Sequence, residues 1–297
     1  MTISGTTTRR PIRHTTSVIR VVVICLTPGL FLTACEGMLD GYPPSVSYQH
    51  ATGAEDIVVS IDTAGGYVQL EVTFRNTAEF LLLGDGTAIA PGPVLGSYPG
   101  PALRPTRSVT LSEDRIQELF RAADSAGLLD GEIDYGDPGW TDLASTNVNI
   151  TIGGRTLSQS AYGLGFDDDT AEGLSGTERD ARLVLRDFIA TAQGLVGPDS
   201  AQYVPDEVVA HQVSARETST VDPDFEEQPR PWPIATIPPP PPAMNFDSCF
   251  VVTGPDADVL LDVLVDANEL TTWVIGTQPP VRMAFRPLLP GDLGCPD

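Results

Sequence analysis

Asn147-Val-Asn-Ile-Thr-Ile-Gly-Gly-Arg-Thr-Leu-Ser-Gln-Ser-Ala-Tyr162, followed by Ser175-Gly-Thr-Glu178, decides the fold. Asn147 to Ile152 and Arg155 to Tyr162 read as two strands joined at Gly153-Gly154, because paired glycines supply the positive φ of a tight hairpin loop. Ser175 and Glu178 form a capping box, in which side chain and backbone satisfy each other's free N–H groups at a helix start. Ala181, Val184, Leu185, Phe188 and Ile189 then fall at helical spacing, and Gly194 ends the helix.

The same order occurs upstream. Asp56 to Ile61 is a β-branched strand, and Gly65-Gly66 makes a turn. Tyr67 to Phe74 alternates apolar with polar and predicts another strand. Glu79 to Leu83 and Thr87 to Ala90 flank Gly84-Asp85-Gly86, a hairpin signal. After a proline- and glycine-rich loop from Pro91 to Pro105, Arg107 to Thr110 predicts a short strand. Ser112 then starts a helix, with Glu113 and Asp114 at the positive end of its dipole and Ile116, Leu119, Phe120 and Ala123 on one face. Strand pairs followed by helices argue for an α+β fold: a mainly antiparallel sheet with helices packed on one face.

From Gly197 the character changes. Glu207 to Arg216 predicts one strand. Asp222 to Pro242 is acid-rich, then proline-rich, and reads as a linker with polyproline II content. Cys249 to Thr253, a helix over Asp256 to Asn268, and strands at Thr271–Ile275 and Val281–Phe285 make a smaller C-terminal α+β unit. The expected organisation is a leader over 1–34 and a spacer over 35–54. An α+β domain over 55–197, a strand and linker over 198–246 and a βαββ unit over 247–297 follow.

The leader is a secretory signal. Arg9, Arg10 and Arg13 form its basic start, and Val21 to Thr33 is an uncharged apolar run, too short to span a bilayer comfortably. Leu32-Thr33-Ala34-Cys35 closes it and resembles the lipobox of bacterial lipoproteins. That resemblance implies cleavage before Cys35, a diacylglyceryl thioether on its sulfur and acylation of the new N-terminus. Two or three long acyl chains, each contributing about 0.8 kcal/mol per buried methylene, hold a protein stably on a membrane.

Charge narrows the partners. The chain carries 17 basic and 40 acidic residues, net −23. Loss of Arg9, Arg10, Arg13 and Arg20 with the leader would leave thirteen basic residues against 40 acidic, about −27. Such a surface repels phosphate backbones and anionic headgroups alike, so nucleic acid is not an expected partner and membrane attachment falls to the lipid on Cys35. The sequence contains no lysine, which excludes Schiff-base chemistry, pyridoxal phosphate anchoring and a Walker-type phosphate loop. A lysine-free chain rich in Ala, Gly, Pro and Asp fits a high-GC bacterial source.

Cys25 leaves with the leader and Cys35 carries lipid. Cys249 and Cys295 remain, outside the reducing cytoplasm, and are expected to pair. The crosslink closes a loop of about 46 residues and contributes at most about 4 kcal/mol.

Leu82-Leu-Gly-Asp-Gly-Thr, Leu111-Ser-Glu, Tyr135-Gly-Asp-Pro-Gly-Trp-Thr-Asp142 and Ala284-Phe-Arg-Pro-Leu-Leu-Pro290 are similar to segments of uncharacterised secreted actinobacterial lipoproteins. The resemblance covers most of the mature chain. It implies location and fold and supplies no activity.

Chemistry-bearing residues are few. His50 and His211 are the histidines left after cleavage, and HExxH, CxxC and GxSxG patterns are absent. A serine hydrolase would have to use His211. Asp130, Glu132, Asp134, Asp137 and Asp142 crowd one glycine-containing loop, where alternating acids can gather oxygen ligands for calcium. Against this, Tyr135 stands at the invariant-glycine position of the calcium-loop pattern, and no glutamate stands at its twelfth. Asp167-Asp168-Asp169 reads as a solvated loop before a helix. Trp140, Trp232 and Trp273 are candidates for a ligand groove or for core, with Trp232, between two prolines, the one to be exposed or to pin the linker. The sequence therefore reads as a binding or scaffolding lipoprotein of the extracytoplasmic membrane face, facing an envelope protein or ligand. The alternative is a calcium-dependent or carboxylate-based extracellular enzyme.

Overall fold

Gly153 and Gly154 take φ of 57° and 73°. The hairpin they close consists of β5 (Ala144–Ile152) and β6 (Arg155–Tyr162), in unbroken register from Ser145↔Tyr162 to Ile152↔Arg155. The computed structural model describes residues 46–94, 96, 98–213, 228–236, 238 and 248–295. The leader, Cys35 and most of the proline-rich segment lie outside these residues.

The hairpin is one edge of a seven-stranded sheet in the order β6-β5-β1-β2-β3-β4-β7. Its other members are β1 (Ile57–Gly65), β2 (Phe80–Leu83), β3 (Thr87–Pro91), β4 (Thr106–Thr110) and β7 (Ala201–Gln202), and every pairing is antiparallel. Two helices, α2 (Glu113–Ser125) and α3 (Gly176–Gln193), cover one face. Phe80, Leu82, Val59, Ile61, Val148 and Ile150 from the sheet meet Ile116, Leu119 and Phe120 of α2 and Leu185 and Phe188 of α3. Burying each such side chain stabilises by about 1.5–3 kcal/mol. The fold is α+β, as the repeated strand-pair and helix order implies.

β2 explains its own composition. Phe-Leu-Leu-Leu is buried at every position, because successive side chains point to opposite faces and both faces are covered. Phe80 and Leu82 face the helices. Leu81 and Leu83 pack with Ile89 and, from the far end of the chain, Leu289. From Val46 onward the chain is one compact unit.

A second sheet has the order β10-β8-β12-β11-β9. It contains β8 (Val208–Gln212), β9 (Arg230–Pro231), β10 (Cys249–Val252), β11 (Thr272–Val274) and β12 (Val281–Pro287); the β11–β9 pair is parallel and the rest antiparallel. Val208, Ala210, Met283 and Phe285 face α4 (Gly254–Leu264), meeting Ala257, Leu260 and Leu264. Val209 and Ala284 point the other way, onto Phe74 and the cysteine pair. The C-terminal βαββ segment thus takes its interior strand, β8, from residues 208–212. No helix among the described residues is long and apolar enough to cross a membrane.

One element departs from the sequence reading. Tyr67 to Phe74 is not a strand: Leu70–Arg75 forms a short helix, α1. Gly65 and Gly66 turn the chain out of the sheet at φ of 82° and 80°. The alternating apolar set also fails to bury one face, since Val68 and Val72 are exposed while Phe74 is buried. Helical spacing instead sets Glu71 against Arg75, an i,i+4 pair at 3.2 Å. Glu71 also accepts from Arg282 of β12 at 2.6 Å, so one carboxylate serves two buried guanidiniums. Burial pushes the Arg75 guanidinium below its ordinary value, and Glu71 opposes that push. Tertiary partners on β12 override the local alternation.

Candidate functional site

The acidic loop is built as a turn framework. Asp134 accepts from the Gly136 N–H at 2.9 Å and Asp137 from the Gly139 N–H at 2.8 Å. Both are side-chain-to-backbone bonds that make local turns. The loop lies against the segment leading into α3: a Cβ on Gly173 would stand 2.5 Å from the Asp137 carbonyl oxygen. Tyr135 is buried beneath the loop, and its hydroxyl reaches Gln159 at 3.3 Å. Burial raises its phenol to about 12. Asp130, Glu132, Asp134, Asp137 and Asp142 do not converge: among the described residues no three His, Cys, Asp or Glu side chains are placed to hold a metal ion.

What organises this end of the molecule is a pair the sequence did not single out. Arg182, on α3, is fully buried and donates to Asp168 at 2.7 Å. Its other nitrogens donate to the carbonyls of Tyr135, Tyr162 and Gly163 at 2.7–3.1 Å. Asp168 also accepts from the Gly165 N–H at 2.8 Å. One guanidinium therefore ties the acidic loop, the end of β6 and the 163–174 loop to α3. Asp168 is 6% exposed, so the Asp167-Asp168-Asp169 run is not a solvated loop throughout. An arginine inside the apolar stripe of α3 was the available signal, since Arg is almost never fully buried without a partner. The capping box ahead of it is present as expected; the Ser175 backbone and side chain hold the Glu178 carboxyl below its ordinary value.

Both histidines are engaged in contacts within the fold. His211 is 2% exposed, on β8, with its ring 5.2 Å from that of Phe74. The Ser248 hydroxyl stands 3.1 Å from His211 Nδ1 and donates to the Gln212 carbonyl at 3.1 Å. Ser248, like His211, is buried. His50 Nε2 meets Glu113 at 3.1 Å and Nδ1 meets the Ala51 carbonyl at 2.6 Å. Gln117 first, then His50, hold the Glu113 carboxyl below its ordinary value.

Cys249 and Cys295 are bonded to each other, with their Cα atoms 5.6 Å apart. Arg286 secures the same corner by donating to Asp292 and to the Gly294 carbonyl, with its guanidinium 5.6 Å above the Phe74 ring. Trp273 is core. Trp232 packs on Trp273 and Phe285 at 5.8 and 6.4 Å between ring centroids and donates to the Thr236 carbonyl at 2.7 Å. It therefore pins the 228–236 segment to the second sheet. Trp140 is half exposed, edge-on to Phe166 at 5.8 Å.

Hollows with room for a ligand include one of about 400 Å³ at the acidic loop, lined by Glu132, Asp134, Ser160 and Tyr162. A cleft of about 680 Å³ opens between the 92–105 loop, the chain after β7, and α4. Its base is stitched by Gly100 N–H to Glu269 at 2.8 Å and Ala102 N–H to the Ala267 carbonyl at 3.0 Å. Val94, Val204 and Val265 stand exposed around it, at 52%, 67% and 80%. A groove of about 450 Å³ lies between α3 and the β1/β5 end of the first sheet. Glu79, Thr63, Thr146, Arg186 and Gln193 give it a charged and hydroxylated lining. These volumes fall in the range of small-ligand sites.

No protein-family model matches the chain, and no curated protein matches it.

Proposed function

We propose that the protein is an extracytoplasmic lipoprotein, held on the membrane face by lipid on Cys35, that binds a ligand or partner of the cell envelope. Leu32-Thr33-Ala34-Cys35, behind a basic start and an apolar run, carries this reading. The Cys249–Cys295 bond supports it, because such bonds persist outside the reducing cytoplasm. The hollows support binding. The acid excess leaves no electrostatic route to a bilayer, which makes Cys35 the sole anchor.

Mass spectrometry of the mature N-terminus tests the anchor. The expected product begins at Cys35 and carries two or three acyl chains. In cells, Cys35→Ala should release the protein from the membrane fraction or leave it unprocessed. An unmodified Cys35, or cleavage elsewhere, would overturn the reading. Crosslinking in intact cells followed by mass spectrometry would then identify the envelope neighbours.

A further inference from the structure

The groove between α3 and the first sheet contains two charges that the fold itself does not use as a pair. Glu79 is held rigidly by neutral donors: Thr63 donates to one oxygen at 2.6 Å and Gln193 to the other at 3.1 Å. Thr63 is in turn set by Thr146, 3.2 Å away. No cation pairs with this half-buried carboxylate among the described residues. Arg186 is the converse. Its nearest acid is Asp168 at 3.7 Å, beyond hydrogen-bond distance, and that carboxylate is already held by Arg182 and the Gly165 N–H. The guanidinium of Arg186 is half exposed at the groove wall.

Helix geometry sets the spacing. Gln193, which holds Glu79, lies seven residues after Arg186 on α3, two turns of helix and about 10 Å along the axis. That rise puts the two charges on the order of 10 Å apart, more than the ammonium-to-carboxylate span of one amino acid. They match the termini of an extended chain of two or three residues, at about 3.3–3.6 Å per residue. The lining also includes the Thr63 and Thr146 hydroxyls, whose remaining lone pairs can accept from peptide N–H groups. Ile189, Leu164 and Phe166 form an apolar wall for a side chain.

We propose that this groove binds a short peptide with free termini, a di- or tripeptide, its ammonium on Glu79 and its carboxylate on Arg186. The carboxylate–guanidinium pairing can be bidentate, and the preset Glu79 has little freedom left to lose on binding. The proposal rests on reading the chain as a binding module and names a ligand class for it.

The test is calorimetric titration of the detergent-solubilised full chain with dialanine and trialanine. N-acetyl and C-terminal amide forms of the tighter binder follow. Each blocked peptide should bind the wild-type chain at least about tenfold more weakly, one charge-assisted contact being worth that much or more. Acetylation should cost little further in Glu79→Gln, whose amide oxygen still accepts from Thr63 and whose NH2 donates to Gln193 once that amide flips, and amidation little further in Arg186→Gln. Unchanged melting of both variants would show that the fold is intact; if Glu79→Gln unfolds, the Arg186→Gln arm decides alone. The absence of heat with either free peptide at millimolar concentration, or equal affinity for free and blocked peptides, would overturn the proposal. The N-terminal mass of the same sample reports the anchor separately, so failure of the groove and failure of the lipoprotein reading are distinguishable.

Discussion

The Arg182 guanidinium and the Asp168 carboxylate meet at 2.7 Å with their side chains 0% and 6% exposed. Removing one partner of such a pair leaves the other charge buried and unpaired, at a cost of about 3–5 kcal/mol. Arg182→Met also strands the carbonyls of Tyr135, Tyr162 and Gly163. It should lower the urea midpoint markedly, with little change in slope. Asp168→Asn added to the Arg182→Met variant should recover part of that loss, because the orphaned charge is then gone. Additive losses in the double-mutant cycle would show that the two side chains act independently.

This pair also shows how far the sequence could be read. The hairpin at Gly153-Gly154 and the capping box at Ser175 were legible because turn and cap chemistry is local. The Cys249–Cys295 bond was legible by elimination. Arg182 was not, since its partners come from 14 to 47 positions away in sequence. The helix at Leu70–Arg75 was missed for a related reason: Glu71 takes its second guanidinium from Arg282, 211 positions on. The candidate groove was illegible because Glu79 and Arg186 carry no motif; only the packing of α3 on the sheet brings them to one cavity. The acidic loop, by contrast, drew attention through composition, while its carboxylates at Asp134 and Asp137 are engaged in turns.

Calcium provides a direct check on that loop. With two of its carboxylates committed to backbone N–H groups and no metal-holding group of three among the described residues, millimolar calcium should leave the melting temperature unchanged. Asp134→Ala should destabilise by about 0.5–1.5 kcal/mol through the lost Gly136 bond, equally with and without calcium. A calcium-dependent rise in melting temperature, abolished in Asp134→Ala, would favour the calcium-dependent alternative instead.

Breaking the Cys249–Cys295 bond should cost stability without rearranging the fold. The bond spans 46 positions, and loop-closure entropy sets its contribution at up to about 4 kcal/mol. β10 remains held by its pairing with β8, and the C-terminal segment by Arg286, through Asp292 and the Gly294 carbonyl. Paired Cys249→Ser and Cys295→Ser substitutions should therefore lower the unfolding midpoint while leaving the far-ultraviolet circular dichroism intact. Loss of that spectrum at room temperature would show that the arginine contacts are insufficient.

Alkaline pH should act through Tyr135. Burial raises its phenol from an ordinary value near 10 to about 12. A folded-state value above the unfolded one means that the folded chain holds the proton more tightly. The associated stability is fully present below pH 10 and is lost as pH rises from 10 towards 12. Tyr135→Phe removes this proton and the 3.3 Å contact with Gln159, so it should be less stable by about 1 kcal/mol near neutrality. Its stability should then fall less steeply than wild type between pH 10 and 12. Tyr48 and Tyr203 are also raised and leave a residual slope in the variant. Denaturant midpoints measured at intervals across this range decide the matter: parallel wild-type and variant curves would show that another tyrosine carries the alkaline loss.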